Sequence, residues 1–166
     1  VGLGGRLDAV NIIDADICVV TNISIDHEGW LGEGREAIAA EKAGILRSGA
    51  QVIFGDRDLP QALMEKAEEL ELTPLCLGRD FGWERTGMVW DWYGLTKVHN
   101  MSERIQTISG LPVPKLLLDN VAVAMQVLYK ASQALGFPID IEAQRNKLET
   151  LKLAGRHEWR RDKTTK

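Results

Sequence analysis

Asp16-Ile17-Cys18-Val19-Val20-Thr21-Asn22-Ile23 is a short, nearly continuous apolar run rich in β-branched residues, and it ends in the polar Ser24. Such a run marks a strand covered on both faces, the usual condition in a parallel sheet. Ser24 to Gly34 then reads as a loop of glycines and acidic residues. Arg35 to Arg47 has an Ala-rich helical composition closed by Ser48-Gly49, and Gln51 to Phe54 is a second buried strand. Leu63, Ala67 and Leu70 recur at helical spacing within Leu59 to Leu72, and Pro74 to Leu77 supplies a third strand. Strand, helix, strand, helix, strand implies an α/β fold, a mostly parallel sheet flanked by helices.

Beyond this core the period changes. From Phe81 to Gly110, Trp, Val, Tyr and Ile alternate, with Trp83, Trp90 and Trp92 among them and glycines as punctuation. An antiparallel meander attached to the main sheet is expected there. Leu117 to Leu135 is the longest helical stretch, ended by Gly136 and Pro138, and Ile141 to Leu151 is another. The polar Arg160 to Lys166 is expected to be unanchored.

Composition narrows the function classes. The 166 residues are 45% hydrophobic and 27% charged with a net charge of −4, which excludes a disordered chain and is enough to bury one sizeable core. The acidic balance gives no general attraction for nucleic acid or an anionic membrane, so an anionic ligand has to be held locally. Cys18 and Cys76 are too few for a disulfide framework, and no run approaches the ~18 apolar residues of a membrane span. A cytoplasmic protein is expected. Val1 replaces an initiating methionine, and Val1-Gly2-Leu3-Gly4-Gly5 reads as the middle of a structured unit, so a fragment is expected.

Five features carry candidate chemistry. The glycines of Gly2-Leu3-Gly4-Gly5-Arg6-Leu7-Asp8-Ala9 permit close ligand approach or simply a turn, and no Gly-Lys-Ser/Thr follows to make a phosphate loop. Asp26-His27-Glu28 follows the carboxyl end of the first strand, where open α/β sheets place ligands, although hard divalent cations prefer oxygen to imidazole. Lys42 falls between Ile38, Ile45 and Leu46 on the helical wheel, an apolar face on which a lysine must snorkel, meet an anion or lose its charge. Asn120 offers an amide donor and acceptor matched to the adenine edge, or a helix cap for which Asp119 competes. Arg156, within Gly155-Arg156-His157, suits bidentate phosphate binding as well as plain exposure.

Val1 to Asn11, Ser24-Ile25-Asp26-His27-Glu28-Gly29-Trp30-Leu31-Gly32, and Ile38-Ala39-Ala40-Glu41-Lys42-Ala43-Gly44-Ile45 resemble, in order and spacing, the folylpolyglutamate synthase and dihydrofolate synthase family of the Mur ligase superfamily. The likeness is dense over residues 1 to 55 and returns at Asn120 to Ala124 and Ala154-Gly155-Arg156. What it implies is part of a Mur-ligase-type P-loop ATPase domain, with 1–152 inside the ATP-binding domain and 153–166 opening a linker. The implied activity is an ATP-dependent ligase that phosphorylates a carboxylate of dihydropteroate or folate and joins L-glutamate to it. By the same resemblance His27 is a Mg²⁺ ligand and Lys42 a carbamylated lysine serving the metal and catalysis. Asn120 and Arg156 bind ATP, and Leu7, Asp8 and Ala9 line the pterin site.

The family's phosphate loop, and the Glu that directly precedes its Val-Gly-Leu-Gly-Gly segment, have no counterpart in these residues, and Ala154 replaces a common Pro. The implied parent is a cytoplasmic, monomeric enzyme, and the chain alone is expected to be inactive, with an exposed sheet edge. A different Mur-type ligase acting on a cell-wall precursor, and a non-catalytic nucleotide- or pterin-binding remnant, are the alternatives.

Overall fold

The computed structural model describes residues 5–24, 34–96 and 104–151. Its first part alternates β1 (Ile17–Val20), α1 (Arg35–Ala43), β2 (Gln51–Phe54), α2 (Gln61–Glu69) and β3 (Leu75–Cys76), preceded by a single 3-10 turn, Ala9–Ile12. The second part holds β4 (Gly82–Thr86), β5 (Val89–Thr96), β6 (Arg104–Pro112), α3 (Leu118–Leu135) and α4 (Ile141–Thr150). Strands β1, β2 and β3 pair in that order and in parallel, with Ile17 opposite Gln51 and Ile53 opposite Leu75. Each sequence-predicted strand and helix is found, within a few residues of its expected ends.

Alternation along the strands divides the core. Cys18 and Val20 of β1, with Val52 and Phe54 of β2, pack among Ile38, Ala39 and Ala43 of α1 and Leu63 and Ala67 of α2. Ile53, between Val52 and Phe54, turns to the other face and joins Val121, Ala122, Val123 and Met125 of α3. The parallel sheet is therefore covered on both sides, which is why β1 and β2 read as continuous apolar runs. Helix α3 comes very close to the sheet at Gly55, where an added Cβ would lie 2.6 Å from Val123 Cγ2.

The meander is a sheet of its own rather than an addition to the parallel one. Its apolar face, Trp90, Trp92, Ile108 and Leu111, lies against α3, so that helix is sandwiched between the two sheets and blocks their merger. The isolated bridge Leu77–Phe81 marks the crossing from one sheet to the other. Trp92 stacks on Tyr129 with centroids 5.0 Å apart, and its indole N–H donates to the Ala122 carbonyl at 3.2 Å. Gly136, at φ 73°, ends α3 in a left-handed cap with its N–H on the Ser132 carbonyl.

Helix α1 is shorter than its composition suggests. It stops at Ala43, not at Ser48-Gly49, because Gly44 is pressed against Arg6 and its carbonyl accepts from Asn11 and Arg47. The buried face of α1 is Ile38, Ala39 and Ala43. Lys42 sits at the margin of that face, half-buried, and not within it as the helical wheel predicts. No helix among the described residues is long and apolar enough to cross a membrane.

Candidate functional site at the carboxyl ends of the strands

Two packed junctions frame the candidate site, and the first ties the residues that follow β1 to those that follow β2. Arg35, the first residue of α1, donates through Nε to the Ile23 carbonyl at 2.8 Å and through its terminal nitrogens to Asp56 and Asp58, each at 2.7 Å. Asp56 Oδ2 also accepts the Ile23 N–H at 2.9 Å. Ile23 and Arg35 are thereby held together at the two ends of the segment that contains His27. Burial opposes charge on the Asp56 carboxyl, but the Ile23 N–H, the Arg35 guanidinium and the Asp58 N–H outweigh it and hold its pKa below the usual carboxylate range.

A depressed folded pKa stabilises the fold above the unfolded value, 3.8, and that stabilisation is lost as pH falls through the lower folded value. We therefore expect the thermal midpoints of the complete protein and its Asp56→Asn variant to differ at neutral pH and to converge between about pH 5 and pH 1. A constant gap over that range would show that the Asp56 charge does not hold the junction.

The second junction joins the glycine-rich segment to the end of α1. Gly5 is buried at φ 83°, and a Cβ there would lie 2.8 Å from the Glu41 carbonyl oxygen, so only glycine fits. The Arg6 N–H donates to that carbonyl at 3.1 Å. Asn11 Nδ2 donates to the Arg6 and Gly44 carbonyls at 3.0 and 3.2 Å, while its Oδ1 accepts from Arg47 at 2.8 Å. Two segments that look unrelated in sequence, residues 5–11 and 41–47, thus form one unit. The glycine at position 5 serves this close backbone approach.

One cavity opens on the second junction, and another lies on the far side of Asn22. The first, about 430 Å³, runs along the edge of β1 that has no partner strand among the described residues, and is lined by Gly5, Asp8, Asn11, Cys18, Asn22, Lys42 and Ile45 among others. The second, about 450 Å³, is lined by Asn22, Trp83, Arg85, Asp119, Asn120 and the apolar stretch Leu116–Leu118. Asp119 accepts the Trp83 indole N–H at 2.8 Å, and the Arg57 guanidinium lies 5.5 Å over the same ring. Burial raises the Cys18 thiol in the wall of the first cavity above its ordinary pKa, against the opposing effect of Arg47.

The structure brings Asp8 and Lys42 into one cavity and places Asn120 in the other. Asp8 caps the 3-10 turn by accepting the Val10 N–H at 3.1 Å, so its carboxylate has a structural task. Leu7 and Ala9 flank it, exposed. Lys42 has no ion pair and no side-chain hydrogen bond among the described residues. Neither Asn120 nor Asp119 caps α3: the cap position is Leu117, Asp119 is engaged by Trp83 and Arg57, and the Asn120 side chain is exposed. His27 and Arg156 lie outside the described residues. Among the described residues no group of three or more His, Cys, Asp or Glu can hold a metal ion.

Sequence reasoning missed Arg35, Asp56, Arg47 and Trp83. All four act through contacts across long sequence separations, which periodicity does not report. Asn11 was visible only as the last residue of a resembling segment.

A parallel sheet with helices on both faces, and a separate antiparallel sheet packed on one of those helices, is the architecture of a Mur-ligase-type domain. The dihydrofolate synthase/folylpolyglutamate synthase of Haemophilus influenzae is 38% identical over 156 residues, 94% of this chain and 33% of that protein. Escherichia coli FolC in complex with DHPP and ADP superposes with a TM-score of 0.77 at 36% identity, over 94% of this chain and 34% of that one. The bifunctional enzyme of Yersinia pestis complexed with AMPPNP and Mn ion gives a TM-score of 0.74 at 35% identity, over 93% and 34%. No protein-family model matches the chain. The chain is similar to dihydrofolate synthase/folylpolyglutamate synthases over 94% of its own length and spans about a third of the length of the relatives it matches.

Proposed function

We propose that the complete protein is an ATP-dependent ligase that adds L-glutamate to dihydropteroate or folate, and that residues 1–152 are part of its ATP-binding domain, with 153–166 opening a linker. The observation that carries this reading is the pair of cavities, one holding Lys42 and Asp8 and the other Asn120, which adjoin at Asn22. Relatives named for both synthase activities, and family structures holding ADP or AMPPNP with manganese, support it. In this reading the protein is a cytoplasmic monomer acting on small molecules, and its cysteines remain reduced.

The residues divide the work by charge. Asn120 meets the adenine edge and Arg156 the phosphates, while Leu7, Asp8 and Ala9 wall the pterin. Lys42 has the setting a carbamate requires: half-buried, on a cavity wall, with no acidic partner among the described residues. As the carbamate it would join His27 in holding Mg²⁺. When bound, the cation would neutralise the charge that builds up as a carboxylate approaches a triphosphate.

The test is ADP release by the complete protein given ATP, Mg²⁺, L-glutamate and either dihydropteroate or tetrahydrofolate. Release that needs both glutamate and a pterin is the expected result. Release that needs a cell-wall nucleotide precursor instead would move the protein to another branch of the superfamily, and no release would leave a nucleotide- or pterin-binding module.

A further inference from the structure

Asn22 lies two residues beyond β1 and is a lining residue of both cavities. It is exposed and carries no hydrogen bond among the described residues, so its amide contributes nothing visible to the fold. The neighbouring Ile23, by contrast, is buried and tied through its N–H to Asp56 and through its carbonyl to Arg35. A free amide is thus held next to an anchored residue, at the boundary between the cavity of Lys42 and that of Asn120.

We propose that Asn22 is a further catalytic residue, whose amide N–H donates to the phosphoryl group as it passes from the nucleotide to the acceptor carboxylate. This rests on the ligase reading. With the base near Asn120 and the acid near Lys42, the γ-phosphoryl has to cross where the two cavities adjoin. In that step a carboxylate oxygen forms a bond to γ-phosphorus, the bond from γ-phosphorus to the bridging oxygen breaks, and the electron pair leaves on ADP. No proton moves. Charge spreads over the equatorial oxygens of the transferring group, and a neutral donor stabilises it without adding a counter-charge that would trap the substrate. The glutamate amine then attacks the acyl carbonyl, phosphate departs, and the amine gives up its proton to solvent.

The experiment compares the complete protein with its Asn22→Ala, Asn22→Ser and Asn22→Asp variants in kcat, KM, ADP affinity by calorimetry, and thermal midpoint. Loss of a donor that acts only in the transition state lowers kcat by about 10²–10³-fold. KM for ATP and glutamate should stay within about 3-fold, and ADP affinity and the midpoint should not change. Serine keeps one donor and should lie between alanine and the parent, whereas aspartate, which repels the phosphoryl oxygens, should be at least as slow as alanine. An unchanged kcat in Asn22→Ala, or a loss confined to KM or the midpoint, overturns the assignment while leaving the ligase reading intact. A parent protein without glutamate- and pterin-dependent ADP release overturns both.

Discussion

In the complete protein, Lys42→Ala is expected to lower glutamate-dependent ADP release by on the order of 10³-fold while leaving the thermal midpoint close to that of the parent. The first half follows from the proposed role. A carbamate forms when the neutral amine attacks CO₂ and loses a proton, which turns a cationic side chain into an anionic oxygen ligand. Alanine removes that ligand where two anionic substrates must meet. The second half follows from the position of Lys42, which is half-buried at the edge of the α1 core face and makes no ion pair among the described residues.

Added formate or acetate should restore part of the lost rate by placing a carboxylate in the vacated space. ¹³C-labelled bicarbonate should give a carbamate resonance in the parent and none in the variant. Unchanged activity would remove Lys42 from the mechanism. Loss of activity with a large fall in the midpoint and no rescue would reassign it to packing.

The sequence carried the order of elements well because burial on both faces of a parallel strand leaves a plain signature. Ile17–Val20 and Gln51–Phe54 were legible as strands from their apolar runs alone. Sheet membership was not legible. Alternation in Val89–Thr96 reports that one face is buried, but not that the burying partner is α3 rather than the edge of the first sheet. The end of α1 was misplaced for a related reason. The stop comes from Arg6 packed on Gly44 and from Asn11 and Arg47 taking its carbonyl, contacts between residues more than thirty positions apart or hidden in a loop.

Of the proposed site, Lys42, Asp8 and Asn120 are candidates named from the sequence, through resemblance more than through spacing, and the structure puts the first two in one cavity and the third in another. What the structure adds is the frame that aims them. Gly5 against Glu41 sets the glycine-rich segment on α1, and the Arg35 and Asp56 pair closes the two ends of the segment containing His27. Asn22 carried no signal in sequence because its distinction is its place between two cavities.

Trp92→Ala should be the most damaging single change to the fold, with about 3–5 kcal/mol of destabilisation. Trp92 is 0% exposed, so truncation leaves a large void between the second sheet and α3. It also removes the stack on Tyr129, worth about 0.5–1.5 kcal/mol beyond area, and leaves the Ala122 carbonyl without the indole donor. The effect should be local. Hydrogen exchange in the complete protein should quicken along α3 and β5, while amides of β1 and β2, whose packing rests mainly on α1 and α2, should change less.

Because Asn120 sits in the first turn of α3 and Asp119 beside it anchors Trp83, the proposed role of Asn120 requires that loosening this helix also weaken ADP binding. Tyr129→Phe provides the control. Its hydroxyl is buried with no hydrogen-bond partner among the described residues, so the variant keeps the stack and removes an unsatisfied polar atom. It should be at least as stable as the parent. Equal exchange rates in Trp92→Ala and the parent would mean that the second sheet does not hold α3.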